Sequence, residues 1–347
     1  MREEFPYVSI VVPVLNREDT IGSCIESLLE LDYPSYEIIV VDGGSTDKTT
    51  EVVSKYPIEV IIDRRRGAYA ARNSGIGMAK GELIFFTDSD CVIDKDVLKK
   101  MVGHFGDEKI AGMGGQISAY NPTTLIERFS HYAHIVEFNL PNGTVKWNKN
   151  KFLSGGLYTA NALFRKDVLK EVGEFDTDFI VGGDYDLCWR LQRAGYRLEF
   201  DSEAIVRHIH RGTLSELIKQ FFNYGIEHPL LLKKQPGFFS YIQIKTYALP
   251  PFEFRIKLPI RMLVCIDFCN LSILGMLLAL VYPILFYPSA LVLLGVVVGA
   301  LHKGLNVAKK SGQMRWLLLF PLLHFIRNWA WTIGKIRGGI KHRLIAI

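Results

Sequence analysis

Four short apolar runs within about the first ninety residues alternate with polar, turn-rich or amphipathic stretches, and this alternation constrains the fold more than any other feature. Residues 8–12, 37–41, 60–62 and 83–86 are too short for helices and rich in Val, Ile and Phe, so they read as buried strands. Residues 16–19, 45–47 and 67 can each open a helix between them, through Asn, Ser or Asp caps or a glycine. Strands alternating with crossover helices predict an α/β domain built on a mostly parallel, Rossmann-like sheet with helices on both faces.

A sheet of that kind gathers ligand-binding groups beyond the carboxyl ends of its strands. The last run ends in Asp88-Ser89-Asp90, two carboxylates one residue apart. Side by side they repel, and a divalent cation with a taste for oxygen, Mg2+ or Mn2+, relieves the repulsion while bridging to phosphate. A solvated turn or helix cap would have the same sequence. Asn16, Asp42, Arg72, Asp88 and Asp90 all follow strands or lie in the next loop or helix, so the fold would collect them along one edge. Neither Gly-x-Gly-x-x-Gly nor Gly-Lys-Ser/Thr follows the first strand, which leaves phosphate charge to a metal and Arg72.

The chain has 347 residues, 49% of them hydrophobic, enough for a catalytic domain (residues 1–228) and a further part. Residues 262–301 carry a single charge, Asp267, over about twice the length that crosses a bilayer, and predict a two-span transmembrane hairpin, 262–282 and 284–301. Residues 229–261 interleave basic and aromatic side chains, as amphipathic helices in the headgroup region do. Residues 302–347 read as a basic loop and an interfacial helix, or third span, over 316–333. Lys257 and Arg261 before the hairpin and Lys303, Lys309, Lys310 and Arg315 after it place both ends in the cytoplasm, giving a multi-pass protein of the cell membrane. With Glu3 and Glu4 ahead of the first strand, no signal peptide is expected. The net charge of +5 is modest and concentrated near the apolar segments, which points to membrane lipid and away from nucleic acid. Five cysteines with no Cys-x-x-Cys pair suit packing in a reducing compartment.

Four motifs in order then carry a family resemblance: Pro13-Val14-Leu15-Asn16-Arg17-Glu18, Val40-Val41-Asp42-Gly43-Gly44-Ser45-Thr46-Asp47, Gly67-Ala68-Tyr69-Ala70-Ala71-Arg72-Asn73-Ser74-Gly75 and Thr87-Asp88-Ser89-Asp90. The sequence resembles the membrane-anchored members of the family 2 inverting glycosyltransferases, of GT-A fold, as far as about Gly225. The resemblance implies a nucleotide site in which Pro13 and Asn16 lie beside the nucleoside and Asp42 binds the base. Arg72 and Asn73 would serve the base and diphosphate, Asp88 the ribose, and Asp90 the metal. Residues 155–165 resemble the sugar-binding stretch, with Asn161 and Arg165 as its recognisable points. Gly182-Gly183-Asp184-Tyr185-Asp186-Leu187 resembles Glu-Asp-x-Asp-Leu, which aligns Asp184 with the catalytic base while Gly183 stands where the family writes Glu.

A sugar or lipid hydroxyl is a poor nucleophile, and a carboxylate within reach can take its proton as it attacks the anomeric carbon. Asp184 can also cap the helix that follows, and Asp186 is placed either at the acceptor or sugar or in a pair with Arg190 at helical spacing. His208 and His210 alternate as on a strand; relatives put a metal-completing His here, His208 being the choice and His210 the alternative. Gln220-Phe221-Phe222-Asn223-Tyr224 departs from the Gln-x-x-Arg-Trp of polymerising synthases. The expectation is therefore transfer of one hexose from a nucleotide-sugar donor, a UDP-sugar, to a lipid-linked hydroxyl acceptor. The competing readings are a polyprenyl-phosphate hexosyltransferase and a non-catalytic nucleotide-sugar binding protein.

Overall fold

The computed structural model describes residues 5–65, 67–137, 142–145, 156–234, 240–245, 252–256, 262–267, 275–343 and 345–346. The chain divides into two compact units, Met1–Asn148 with Leu153–Gly212, and Thr213–Ile347 together with a short piece of the intervening segment. The first unit thus ends at Gly212, earlier than the expected boundary at residue 228.

The strands of the first unit are β1 (Val8–Val14), β2 (Tyr36–Asp42), β3 (Glu59–Ile62), β4 (Leu83–Thr87), β5 (Cys91–Ile93), β6 (Ile110–Ala119), β7 (Gly143–Thr144), β8 (Asn161–Arg165) and β9 (Arg197–His208). Its helices are α1 (Ile21–Leu29), α2 (Thr49–Val53), α3 (Ala68–Met78), α4 (Val97–Val102), α5 (Leu125–Glu137), α6 (Lys166–Glu171) and α7 (Gly183–Arg193). One sheet runs β3-β2-β1-β4-β8-β6-β9-β5, with β7 on β9. The expected parallel order holds from β3 to β4, whereas β8 enters antiparallel to both β4 and β6. Val8, Ile10, Val11 and Val12 are fully buried, which requires cover on both faces of β1. Ile21, Cys24, Ile25 and Leu28 of α1 share a core with Ile10 and Val12. On the opposite face Gly75 of α3 lies so close to Val11 that a Cβ there would sit 2.8 Å from Val11 Cγ2.

Strand β6 escaped the sequence reading because Gly112, Gly114 and Gly115 interrupt its apolar pattern. The glycines make room for neighbours: a Cβ at 112 would meet the Phe164 ring at 2.6 Å and one at 114 the Leu157 side chain at 2.7 Å. Bulky residues of β8 and its lead-in fill the missing volume.

The second unit holds α8 (Leu214–Lys234), β10 (Ser240–Lys245), β11 (Phe252–Ile256), β12 (Met262–Asp267), α9 (Phe286–Ser311), α10 (Trp316–His342) and β13 (Ile345–Ala346). Two expectations are corrected here. The described parts of 229–261 after α8 are strands rather than amphipathic helices, and Phe252-Glu253-Phe254-Arg255-Ile256 alternates strictly, a period of two that the basic-aromatic composition concealed. The expected first span also begins as a strand, Met262–Asp267, paired parallel with β10. Residues 235–239, 246–251, 257–261 and 268–274 lie outside the described residues. Among the described residues one helix, Pro283–Ser311, is long and apolar enough to cross a membrane, so a multi-pass topology is not supported. Helix α10 extends the expected 316–333 helix to His342 and packs on α8 at backbone distance, Gly334 Cα lying 2.9 Å from where a Cβ of Gly225 would be. Lys341 of α10 pairs with the buried Glu227 of α8 at 2.7 Å.

Candidate active site

The carboxyl ends of β1, β2 and β4 meet at one edge, as the register pairs Val14 with Asp42 and Val11 with Phe86. Asp42 is buried, and its Oδ1 accepts hydrogen bonds from the backbone N–H of Gly44 and Ser45 and from the Ser45 hydroxyl, while Thr50 Oγ1 donates to Oδ2. Asp42 therefore builds the loop, and only Oδ2 retains acceptor capacity for a base N–H. Asn16, at a φ of 50°, locks the neighbouring loop: its Oδ1 accepts from Thr46 N at 2.9 Å and its own N–H donates to Ser45 Oγ at 2.9 Å. Pro13 sits half-buried in β1 opposite Val41.

Asp90 and His208 are brought together by sheet pairing. Asp90 immediately precedes β5, His208 ends β9, and the antiparallel register sets Cys91 opposite His208, with Ile209 N donating to Asp90 O at 2.8 Å. His208 Nε2 lies 3.2 Å from Asp90 Oδ1. Arg17 Nε and Arg211 Nη2 approach Asp90 Oδ2 at 3.9 and 4.0 Å. Burial alone would raise the Asp90 carboxyl, but His208, Arg211 and Arg17 hold it down at about 2. Burial likewise opposes the charged imidazole of His208, and the Asp90 carboxylate overrides it, lifting His208 above its usual value.

Among the described residues Asp90, Cys91 and His208 form a group able to hold a metal. Burial drives the Cys91 thiol far above its normal value, with Asp88 and Asp90 adding to the effect, and a soft sulfur ligand suits Mg2+ or Mn2+ less well than oxygen or imidazole nitrogen. The carboxylate and the imidazole fit a divalent cation: two donors at right angles on an ion about 2.1 Å away are about 3 Å apart, close to the 3.2 Å found. His210 is the next ring along, 5.2 Å from His208 between centroids, and it is His208 that meets Asp90.

Arg72, buried on α3, bonds Asp88 Oδ1 at 2.6 Å and lies 5.4 Å above the Tyr69 ring. Tyr69 Oη is in turn 3.5 Å from Asp184 Oδ1, so an unbroken line of groups runs from Asp88 through Arg72 and Tyr69 to Asp184. Asp184 sits in the first turn of α7 after Gly182, whose φ of 87° suits glycine, and its Oδ1 also accepts the Tyr185 N–H at 3.0 Å. Burial raises the Asp184 carboxyl, restrained by Arg72 and the Tyr185 N–H, which moves it toward the range a general base needs.

Four expected contact residues are used elsewhere. Asn73 makes a two-way bond with the backbone of Phe175, at 2.8 and 3.0 Å, fastening α3 to the loop before α7. Asn161 is buried and its Nδ2 donates to the carbonyls of Gln116 and Ala204, tying β8 to β6 and β9. Arg165 pairs with Leu83, about 17 Å along the sheet from Asp88 at the usual rise per residue, and its guanidinium binds the carbonyls of Ile110, Phe105 and Asp107. Asp186 is buried and holds Arg190 Nε at 2.8 Å, the helical pairing of the two alternatives. Gly155 lies outside the described residues; Leu157 of the same stretch donates to Cys188 Sγ, which seats the stretch on α7. Arg17, Arg211 and Tyr69 were not singled out from sequence. Tyr69 carried one usable signal, its i,i+3 spacing to Arg72 on a helix.

The structure thus brings the strand-end carboxylates Asp88 and Asp90, the imidazole of His208 and the helix carboxylate Asp184 into one α/β site. Residues 9–173 match the family described as Glycosyl transferase family 2. The glycosyltransferase AglE of Haloferax volcanii is 32% identical over 65% of this chain and 74% of its own length. A Methanococcus voltae enzyme, dolichyl N-acetyl-alpha-D-glucosaminyl phosphate 3-beta-D-2,3-diacetamido-2,3-dideoxy-beta-D-glucuronosyltransferase, is 28% identical over 70% of this chain and 78% of its own. The mannosyltransferase PcManGT of Pyrobaculum calidifontis, solved in complex with GDP-Man and Mn2+, superposes with a TM-score of 0.53 at 19% identity over 97% of this chain and 87% of that one. This chain belongs to glycosyl transferase family 2 and is a glycosyltransferase of GT-A fold.

Proposed function

We propose that the protein is an inverting transferase that moves a single hexose from a nucleotide-diphosphate sugar, a UDP-sugar in the first instance, to a lipid-linked hydroxyl acceptor. The observation that carries this reading is Asp184: a carboxyl raised by burial and joined through Tyr69 and Arg72 to the Asp88 end of the metal motif. A hydroxyl acceptor needs such a base, whereas a polyprenyl phosphate is already an anion and does not. The dolichyl-linked sugar in the name of the M. voltae relative supports an acceptor of this class.

In this reading Asp184 takes the acceptor proton as the oxygen attacks the anomeric carbon, and one displacement inverts that centre. Asp90 and His208 would hold Mn2+ or Mg2+, which would supply positive charge for the departing diphosphate. Arg17 and Arg211, whose guanidiniums lie 3.9 and 4.0 Å from Asp90 Oδ2, would be the cationic side chains available to the diphosphate. Asp42 Oδ2 is the acceptor left for the base. The long apolar helix Pro283–Ser311 attaches the enzyme to a membrane. The catalytic unit faces the cytoplasm, where the free buried thiols of Cys24, Cys91 and Cys188 are stable.

Incubating the full chain in membranes with labelled UDP- or GDP-sugars and a lipid extract tests this. Label should enter the organic phase with wild type and not with Asp184→Asn. Equal transfer by both proteins would remove the base, and label appearing only on free polyprenyl phosphate would favour the anionic acceptor.

A further inference from the structure

Position 183 is a glycine for a reason that the structure makes visible. A Cβ there would lie 2.8 and 2.9 Å from Cε2 and Cζ of the Tyr69 ring. Contacts that short are not tolerated, so the phenol ring occupies the room a side chain at 183 would need. The ring is itself wedged: it is buried, stacked on Phe175 at 5.3 Å with an interplanar angle of 23°, and covered by Arg72. Its hydroxyl ends at the first turn of α7. It lies 3.5 Å from Asp184 Oδ1.

We propose that Tyr69 is a positioning residue for the base: its hydroxyl, together with the Tyr185 N–H, engages Asp184 Oδ1 and leaves Oδ2 as the oxygen that receives the acceptor proton. The inference rests on the assignment of Asp184 as base. Burial keeps the phenol protonated, with the Asp184 charge reinforcing this, so it serves as a donor. A donor held against one carboxylate oxygen fixes the rotamer of the other, and the 3.5 Å approach is of the kind that tightens when the acceptor enters.

The test uses the full-length protein in membranes. Tyr69→Phe keeps the ring against Gly183 and Phe175 and removes only the hydroxyl. Its turnover should fall about tenfold, with UDP–Mn2+ affinity by calorimetry and thermal midpoint unchanged. The acid limb of its turnover–pH profile should move to higher pH, because a donor to the carboxylate has been lost. Gly183→Ala, which pushes the ring aside, should reproduce the loss, and the double variant should lose little more than either single one. Wild-type turnover and an unmoved acid limb in Tyr69→Phe, or additive losses in the double variant, would overturn the inference while leaving the base intact. Wild-type turnover in Asp184→Asn would overturn the base assignment and the inference together.

Discussion

Acidification should loosen divalent-metal binding well before it disturbs the fold. The Asp90 carboxyl, held at about 2, is ionised across any working pH, so the proton at issue belongs to His208. That imidazole sits above its usual 6.5 because Asp90 outweighs the effect of burial, and it must lose its proton to become a ligand. Below its folded pKa each bound metal therefore displaces one proton, and affinity should drop about tenfold per pH unit. Without metal the linkage runs the other way. The raised His208 contributes stability that is fully present below 6.5 and is lost as pH rises through its folded value. The depressed Asp90 contributes stability present above 3.8 and lost as pH falls toward 2, a shift equivalent to about 2 kcal/mol. The metal-free pair is thus strongest between about pH 4 and 6.5, and Mn2+ should raise the thermal midpoint more at pH 8 than at pH 6. Calorimetric titration of Mn2+ at both pH values, in buffers of different ionisation enthalpy, measures affinity and proton release together. Equal affinity at pH 6 and 8 with no proton released would refute the assignment of His208.

Two further outcomes follow from the geometry. Gly75→Ala drives a methyl into Val11 of the central strand and should destabilise the protein by about 1–3 kcal/mol, read in denaturant melts of the first unit's fluorescence; an unchanged midpoint would mean α3 can slide. Arg211→Ala should weaken UDP–Mn2+ binding by about tenfold or more, and the weakening should shrink in high salt, while an unchanged affinity would mean the guanidinium stays on Asp90.

The first ninety residues were legible because parallel strands buried on both faces must be continuous apolar runs, and Val8–Val14 and Leu83–Thr87 are such runs. The Asp90–His208 meeting needed the antiparallel pairing of β5 with β9, a contact across more than a hundred residues that no local pattern encodes. Polar residues inside the family motifs also take on structural partners that no local pattern shows. Asn73, Asn161 and Arg165 have the chemistry of ligand contacts, but their hydrogen bonds go to the backbone of Phe175, Gln116, Ala204 and Ile110. Residue type shows what a side chain can bind and not where its partners are. In the second unit, hydropathy makes the run from 262 look like a span and basic-aromatic composition makes 229–261 look like interfacial helix, whereas Met262–Asp267 and Phe252–Ile256 also carry the β-branched and alternating character of strands. Tyr69 was missed because its importance is steric, fixed by an absent side chain at Gly183 in another helix.

The division of labour between the two carboxylates is the core of the account, and binding and turnover measured on the same preparations test it most directly. Asp90→Ala should lose metal-dependent UDP-sugar binding, whereas Asp184→Asn should bind UDP-sugar and Mn2+ as wild type does and turn over slower by about a hundredfold or more. If Asp184→Asn loses donor binding and Asp90→Ala keeps it, the roles assigned to Asp90 and Asp184 are exchanged.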